Sequence, residues 1–385
     1  MSTGLGPLAA GIGLALSTVS LLYVAGAIAA LLAWGRRRVP LAPQTPPVTI
    51  LKPLCGAEPE LYENLRSFCD QDYPEFQVVF GARDADDPAL AVARRLVAEF
   101  PHRDLSVVAD PRTIGTNHKV SNLANLLPAA RHEYLVIADS DIRVGPDYLR
   151  SVVGPLLDPG VGVVTCLYRG RALGPVWSRL GALFINEGFL PSVLVARALG
   201  SSAFSFGSTL ALRRAALDQA GGLPALASHL ADDYQLGALT RRQGLRTVLS
   251  PYLVETLAHE PSAARLLHHE LRWGRTIRTI QPWGYFFSGV TYALPMSLIG
   301  AGLAAPRPWA LALPLLALAL RLMLHYAASA GLRLSNPPGP WLVPFRDLLS
   351  FAVWSGSFLG RRVRWRRGDF SVQSDGRMRA NKESL

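Results

Sequence analysis

The chain opens with a long stretch, from Leu8 to Trp34, that contains no charged residue. This stretch exceeds the roughly 20 residues that a helix needs to cross a bilayer, and the basic run Arg36 to Arg38 follows almost at once. A cleaved signal peptide would carry basic residues before a shorter apolar core and a small-residue cleavage site after it. Because the basic residues come after the apolar stretch, we predict a retained anchor over residues 1–38 whose C-terminal end lies in the cytoplasm.

The C-terminal part of the chain is also apolar. Three further blocks follow one another, Phe286 to Ala304, Trp309 to Leu332 and Trp341 to Leu359. A second basic cluster, Arg361 to Arg367, comes directly after them. We therefore predict transmembrane or re-entrant helices over residues 286–360 and a basic cytoplasmic tail over residues 361–385.

The number of these blocks bears on the topology. The region that follows Arg38 and the basic tail are both expected in the cytoplasm, so an even number of spans must separate them. The sequence offers three blocks. One block should therefore be re-entrant or interfacial. The first is interrupted by Pro295 and the third by Arg346 and Asp347, and the sequence leaves the choice between them open.

Charge and cysteine content indicate membrane contact in a reducing compartment. The net charge of +11 is concentrated beside the apolar blocks, which suits a bilayer with anionic headgroups. No basic, aromatic-rich domain occurs elsewhere, so we expect no nucleic-acid partner. The three cysteines form no CxxC pair and are not a disulfide framework, which fits a reduced cytoplasmic setting.

Residues 45–260 have the alternating pattern of an α/β domain. Short β-rich runs alternate with helical patterns such as Pro88 to Phe100, where apolar residues recur at helical spacing. The predicted strands are Val48 to Leu51, Phe76 to Ala82, Leu105 to Ala109, Tyr134 to Ala138 and Val161 to Leu167. The alternation predicts a mostly parallel sheet with helices on both faces, whose ligands bind beyond the carboxyl ends of the strands.

Carboxylates stand where two of these strands end. Asp84 follows the second strand, and Asp139 and Asp141 follow the apolar run that ends at Ala138. Residues two apart in an extended segment point to the same side, so the latter two carboxylates can face one point. A divalent ion completed by phosphate oxygens and water would relieve their repulsion. Taken alone, the D-x-D pattern is also compatible with a solvated turn.

Two later motifs add to this pattern. Asp233 lies just before a helical pattern, where a carboxylate often serves only as a helix cap. Arg272 and Trp273 lie in a helical stretch over residues 261–285. An arginine there can neutralise a diphosphate, and a tryptophan can form a wall for a sugar or lipid. The alternative is an interfacial amphipathic helix anchored by Arg and Trp, and both interpretations can hold together.

The order of these motifs resembles a known class of enzymes. Asp84, the Asp139-Ser140-Asp141 run, Asp233 and Arg272-Trp273 form the series D, DxD, D and (Q/R)xxRW. That series is similar to the family 2-type, A-fold (GT-A) glycosyltransferases. The similarity is closer to the ceramide glucosyltransferase family, family 21, through Ile50 to Leu54, Asp84 to Pro88, Asp218 to Leu223 and Asp232 to Tyr234. Within that family the chain resembles bacterial members associated with hopanoid biosynthesis.

The resemblance implies a GT-A nucleotide-diphospho-sugar transferase domain, flanked by N- and C-terminal transmembrane helices, that uses a UDP-sugar donor. Asp84 would hold the uridine. Asp139 and Asp141 would bind the diphosphate through Mg²⁺ or Mn²⁺. Lys119 matches a family lysine that lies near the phosphates.

The resemblance also assigns the acceptor side of the reaction. Asp233 would deprotonate the acceptor hydroxyl, and Arg272 and Trp273 would close over the diphosphate and line the acceptor site. With one base and no enzyme nucleophile, direct displacement would invert the anomeric centre. The chain departs from the pattern at His269, the first position of (Q/R)xxRW. Asp141 matches D-x-D, although ceramide enzymes can carry glycine there.

The resemblance therefore predicts a multi-pass enzyme of the bacterial inner (cytoplasmic) membrane with its catalytic domain facing the cytoplasm. It would glycosylate a lipid hydroxyl, with a hopanoid and N-acetylglucosamine favoured over ceramide and glucose. A processive polysaccharide synthase remains an alternative, although it usually has more spans and a glutamine in Q-x-x-R-W. The non-enzyme alternative is a membrane scaffold with an inactive glycosyltransferase fold. His259, His268 and His269 are expected to have packing or interface roles.

Overall fold

The computed structural model describes residues 5–41, 44–360, 362–365, 368–372 and 376–380. The strands within these ranges are β1 Val48–Pro53, β2 Phe76–Ala82, β3 Asp104–Ala109, β4 Tyr134–Ile137, β5 Ile142–Arg143, β6 Val161–Ala172, β7 Leu210–Arg213, β8 Arg246–Ala258, β9 Arg362–Trp365, β10 Gly368–Val372 and β11 Met378–Ala380. Parts of the predicted tail (361, 366–367, 373–375 and 381–385) lie outside the described residues.

One helix precedes the first strand, and the others lie between β1 and β9. The helices are α1 Leu5–Gly35, α2 Leu61–Cys69, α3 Pro88–Glu99, α4 His118–Leu126, α5 Tyr148–Val153, α6 Val176–Leu183, α7 Leu190–Ala198, α8 Arg214–Gln219, α9 Asp232–Arg242, α10 Ala263–Ile280, α11 Pro282–Phe287, α12 Ala293–Ala304, α13 Ala312–Gly331 and α14 Val343–Ser357. A π-helical turn, Phe184–Phe189, joins α6 directly to α7.

The chain divides into two compact units. The helical unit comprises Met1–Arg37, Gly170–Gly200 and Ala258–Asp375. The sheet unit comprises Arg38–Arg169, Ser201–Leu257 and Gly376–Leu385. Each unit is therefore assembled from segments that are far apart in the sequence.

The sheet unit is built on strands in the order β3-β2-β1-β4-β7-β6-β8-β5. Strands β3, β2, β1 and β4 are parallel to one another. Strand β7 is antiparallel to both β4 and β6, and β5 is antiparallel to β8. The α/β class is confirmed, but the sheet is mixed rather than mostly parallel. A run such as Val161 to Leu167 predicts a buried strand without indicating its direction, since burial looks alike in both orientations.

Strand β1 shows why the sheet needs a cover on both faces. All six of its residues are buried, and successive side chains point to opposite faces. Ile50 belongs to an apolar cluster with Phe68 of α2 and Leu90 of α3. Leu51 belongs to a second cluster that includes Leu123 of α4. The predicted coverage of both sheet faces is therefore confirmed.

Helix α3 follows its sequence signals closely. Asp87 precedes it and accepts a hydrogen bond from the N–H of Ala89, 2.9 Å away. Pro88 occupies the first helical position, where its missing N–H costs nothing. The helix ends at Glu99, one residue before the predicted end. The loop that follows the carboxyl end of β2 therefore ends at a well-defined helix start.

The helical unit contains segments that are long and apolar enough to cross a membrane. In the described part of the chain these are Gly6–Gly35, Val176–Ala198 and Pro308–Gly331, and a fourth arises if one bent pair counts as a span. That pair joins Pro282–Thr291 to Ala293–Ala304 at 73°. The first apolar block is thus bent before Pro295, which lies in the first turn of α12, where proline is tolerated.

The third apolar block forms a short helix. Helix α14 has 15 residues, fewer than the roughly 20 that a perpendicular span requires. Arg346 and Asp347, which interrupt this block, are both buried inside the helical unit. They pair with side chains of other helices, Arg346 with Glu270 of α10 and Asp347 with Arg321 of α13. The interruption in the sequence therefore reflects packing between helices.

Candidate active site

Two carboxylates follow strand β4, as the sequence predicts. Asp139 lies with its Oδ1 atom 2.6 Å from the Nζ atom of Lys119. Asp141 accepts a hydrogen bond of 2.8 Å at Oδ2 from the hydroxyl of Thr256, which belongs to β8. Both carboxylates therefore have fixed partners, and neither is a freely solvated turn residue.

Lys119 links this strand end to helix α9. Asn117 caps α4 by accepting hydrogen bonds from the N–H groups of Lys119 and Val120, which places the lysine in the first turn. Its Nζ atom lies 3.5 Å from Oδ2 of Asp232 as well as against Asp139. One cation is thus shared by carboxylates from two different parts of the chain.

Asp233 is the second residue of α9 and not its cap, which is Ala231. Its Oδ1 atom accepts a hydrogen bond from the N–H of Tyr234, and its Oδ2 atom accepts one of 2.8 Å from the N–H of Gly207. The second bond comes from a distant segment and fixes the direction of the carboxylate.

Gly207 lies at the centre of this cluster. A Cβ atom on Gly207 would stand 2.9 Å from Oδ2 of Asp139, 3.1 Å from Nζ of Lys119 and 3.5 Å from Oδ2 of Asp233. These contacts, the first two tighter than ordinary van der Waals separation, show that the three charged groups converge on one point of the backbone. A side chain there would displace at least one of them.

Burial and neighbouring charge shift the protonation of the cluster. Burial, followed by repulsion from Asp232, raises the pKa of Asp233 to about 6. Burial and repulsion from Asp139 raise the pKa of Asp141. Burial opposes the charge on Lys119, but Asp139, Asp232 and Asp233 outweigh it and raise the pKa of that lysine. At neutral pH, Asp233 is therefore largely ionised, and its pKa lies close to that pH, as a general base requires.

Lys52 contacts the backbone of this cluster. Its side chain is fully buried, its Nζ atom donates a hydrogen bond to the carbonyl of Asp139, and the ammonium lies 3.7 Å above the ring of Phe68. Burial lowers the pKa of Lys52 to about 7. No role was predicted for it, although a lysine inside an apolar strand is a signal of a buried charge with a fixed partner.

Asp84 lies at the same edge of the sheet. It follows β2, which is separated from β4 by β1, so the two strand ends are about 10 Å apart at the usual strand spacing. Its side chain is exposed and accepts a hydrogen bond of 3.0 Å from the N–H of Asp86. The structure thus places Asp84 at the predicted edge and brings Asp139, Asp141, Lys119 and Asp233 into one cluster.

Arg272 and Trp273 belong to helix α10 of the helical unit. The indole of Trp273 stacks on Phe184 with ring centres 5.9 Å apart and lies 4.2 Å from the ring of His269. Nδ1 of His269 is 2.6 Å from Oε1 of Glu260. Arg272 is partly buried. His269 therefore packs against Trp273, which is consistent with the packing role expected for it.

A divalent ion at this cluster would find only oxygen ligands. Asp139 and Asp141 supply carboxylates that lie close enough for the first to raise the pKa of the second. No group of three or more His, Cys, Asp or Glu side chains in the described ranges is arranged to hold a metal. The two neighbouring carboxylates suit an ion such as Mg²⁺ that takes one or two carboxylates and completes its shell with phosphate oxygens and water.

The sequence matches a known protein family. The sequence profile of glycosyl transferase family 21 matches residues 13–378. Ceramide glucosyltransferase 1 of Caenorhabditis elegans is 27% identical over 237 residues, which are 61% of this chain and 51% of the relative. Ceramide glucosyltransferase of Komagataella phaffii is 36% identical over 113 residues, which are 28% of this chain and 22% of the relative. The chain thus spans about half the length of these relatives or less.

A solved structure supports the fold. The mannosyltransferase PcManGT from Pyrobaculum calidifontis, determined with GDP-Man and Mn²⁺, superposes with a TM-score of 0.54 and 20% identity. The superposition covers 91% of this chain and 98% of the mannosyltransferase. It confirms the predicted fold. Because the family profile covers nearly the whole sequence, this chain belongs to glycosyl transferase family 21.

Proposed function

We propose that the protein transfers a sugar from a UDP-sugar to the hydroxyl of a membrane lipid by a single displacement that inverts the anomeric centre. The observation that carries this proposal is the convergence of Asp139, Lys119 and Asp233 on Gly207. Lysine side chains and several carboxylates at the carboxyl edge of a sheet suit a site that receives a charged donor and removes a proton.

The donor side would use the strand ends. Asp84 would hold the uridine, and Lys119 would exchange part of its contact with Asp139 for a phosphate oxygen. Asp139 and Asp141 would hold a Mg²⁺ or Mn²⁺ ion, which when bound would neutralise charge on the diphosphate. Arg272 would stabilise the negative charge that develops on the leaving group.

The acceptor side would use Asp233 as the general base. A weakly nucleophilic alcohol needs a proton acceptor within hydrogen-bond reach. The N–H of Gly207 holds one oxygen of this carboxylate, which fixes the direction in which the acceptor hydroxyl must approach. The proton leaves the hydroxyl for Asp233, the hydroxyl oxygen bonds to the anomeric carbon, and UDP departs with the electrons of the broken bond.

The membrane segments favour a lipid acceptor. Helices long enough to span a bilayer belong to the same chain as the carboxylate cluster. In helix α11, Trp283 and Phe287 are 74% and 63% exposed, and aromatic side chains of this kind are enriched at membrane interfaces. We place the catalytic domain on the cytoplasmic side of a bacterial inner membrane, because Arg36 to Arg38 follow the first apolar stretch.

Two lipid acceptors need to be distinguished. A hopanoid with N-acetylglucosamine as donor sugar follows from the resemblance of the motifs to bacterial family members. A ceramide with glucose is favoured by the names of the curated relatives. Both acceptors present a hydroxyl near a bilayer surface, and the same cluster would serve either one.

The test is acceptor-dependent release of UDP. Purified protein in detergent with Mg²⁺ would be given each of several UDP-sugars together with a hydroxylated hopanoid or with ceramide, beside the Asp233→Asn variant. We expect release that requires one lipid and is lost in the variant, with a product bearing a single sugar by mass spectrometry. Long sugar chains would indicate a polysaccharide synthase. UDP binding without release in any pairing would contradict lipid glycosylation and favour a non-catalytic role.

A further inference from the structure

A short segment near residue 377 pairs with the run of chain that enters helix α9. The N–H of Met378 donates a 2.7 Å hydrogen bond to the carbonyl of Ser228, and the N–H of Leu230 donates one of 3.2 Å to the carbonyl of Gly376. Arg377 stands opposite His229 as an antiparallel bridge. The side chain of Met378 is 4% exposed. More than one hundred residues of sequence thus separate the two sides of this pairing.

The other side of the same run is held by Asn117. The N–H of Asn117 donates to the carbonyl of Ala227, and its side-chain Nδ2 atom donates to the carbonyl of His229, both at 2.8 Å. Successive carbonyls of residues 227–229 therefore bond alternately to Asn117 and to the segment near residue 377. A strand between two neighbouring strands has the same alternation. Asn117 is also the residue that caps α4 and places Lys119.

We propose that Gly376–Met378, which we call the clasp, positions the proposed base, Asp233. The clasp does so by holding the run 227–230 from the side opposite Asn117. The run leads directly into Asp232 and Asp233. Without the clasp, the carbonyl of Ser228 and the N–H of Leu230 lose these partners. The run keeps its bonds to Asn117 and the local bonds that the N–H groups of Ala227 and His229 donate to the turn before it. The inference rests on the proposed role of Asp233, and the clasp residues are positioning residues that touch no substrate.

The clasp also reaches the segment that carries the lysine. The hydroxyl of Thr116 lies 3.5 Å from the carbonyl of Met378, and Thr116 immediately precedes Asn117. A short added strand gains its affinity from backbone hydrogen bonds and a pocket for alternate side chains, which Met378 fills in this pairing. A single segment thus restrains the approaches to both α4 and α9, whose first turns hold Lys119 and Asp233.

A matched pair of substitutions tests the clasp. Met378→Pro removes the N–H that Ser228 accepts from, whereas Met378→Leu keeps both the N–H and an apolar side chain. Because small misplacements of catalytic groups are costly, we expect Met378→Pro to lower kcat by about tenfold or more. The KM for the UDP-sugar should stay within about twofold, and Met378→Leu should behave as wild type.

A pair of truncations provides the second test. Stopping the chain after Asp375 removes the clasp, and stopping it after Ala380 retains it. Hydrogen exchange of the Leu230 amide should accelerate at least tenfold in the first truncation and in Met378→Pro, and should be unchanged in the second truncation. Wild-type kcat and exchange in Met378→Pro would overturn the proposal, as would an equal loss in Met378→Leu. If the wild type transfers no sugar at all, the proposed function fails, and the exchange rates alone decide the clasp.

Discussion

Ionised side chains gather in both units of the protein, but they are balanced differently. In the helical unit each of the buried carboxylates of Glu270, Asp347 and Glu187 has a basic partner of its own, although Arg321 also lies 3.5 Å from Glu187. Arg346 bonds both carboxylate oxygens of Glu270, at 2.7 and 2.8 Å, and Arg321 bonds both of Asp347, at 2.8 and 2.9 Å. In the sheet unit the single ammonium of Lys119 is shared between Asp139 and Asp232.

The difference separates a structural use of charge from a chemical one. A buried pair with complete hydrogen bonds has nothing left to offer a ligand. The sheet unit keeps an excess of carboxylate, and the pKa of Asp233 rises to about 6 as a result of burial and of its neighbour Asp232. Perturbed groups of this kind are concentrated at functional sites. Substitutions in the sheet cluster should therefore impair activity, whereas substitutions in the helical cluster should impair stability.

The largest effect should come from Asp233→Asn. The amide has nearly the same shape but cannot accept the acceptor proton, so we expect kcat/KM to fall by about 10²–10⁴-fold. The amide can accept only one of the two hydrogen bonds from the N–H groups of Tyr234 and Gly207, so the melting temperature should also fall slightly. Asp70→Asn, at an exposed position of the same unit, is the matched control and should keep full activity. Equal activity in the two variants would remove Asp233 from the mechanism.

The helical unit should respond through stability. Arg346→Met leaves Glu270 buried without its partner, which we expect to cost about 3–5 kcal/mol of unfolding free energy. Adding Glu270→Met in the same chain should recover most of that loss, because the uncompensated charge is gone. Thermal unfolding in detergent measures both variants. A single variant as stable as wild type would mean that the pair is not buried as described.

Gly207→Ala tests the convergence of the charged groups. The new Cβ atom would approach Oδ2 of Asp139 to 2.9 Å, so we expect activity to fall by about 10–100-fold through misplacement of the cluster. Gly26→Ala is the control, since a Cβ atom there meets nothing within 4 Å outside its own helix. Steady-state kinetics of both variants decide the matter, and unchanged activity in Gly207→Ala would refute the close approach.

The smallest effect should be seen in the pH profile. A carboxylate with a raised pKa is inactive as a base when protonated, so kcat/KM should rise with pH up to about 6 and then level off. Asp232→Asn removes the neighbouring negative charge, which favours the ionised form of Asp233. The acid limb should therefore move to lower pH in that variant. A limb that stays in place would assign it to another group.

Much of the sheet unit could be predicted from its sequence. Strand β2 has the predicted bounds, and β1, β3, β4 and helix α3 differ from prediction by at most two residues. Runs of apolar residues and helix-start residues determine these elements, and both are visible in the local sequence. The position of Asp139 and Asp141 just after a strand could also be predicted, because an apolar run that ends in carboxylates is visible in the sequence alone.

The rest depended on long-range contacts. Gly207 reaches Asp139 because β7 lies beside β4, and no periodicity predicts that order. Asp232, next to the predicted base, turned out to share Lys119, which needs the relative placement of α4 and α9. Val176–Ala198 was not among the predicted membrane segments, although this helix is long enough to span a bilayer. Glu187 interrupts its apolar pattern, and that carboxylate lies 2.6 Å from His325.

The anomeric configuration of the product tests the central claim most directly. A single base, Asp233, and no enzyme nucleophile predict one displacement at the anomeric carbon. Proton NMR of the glycolipid formed from an α-linked UDP-sugar should therefore show a β-linked sugar from the first turnover. An α-linked product would require a second displacement or an internal return, and would contradict a mechanism in which Asp233 acts only as a base.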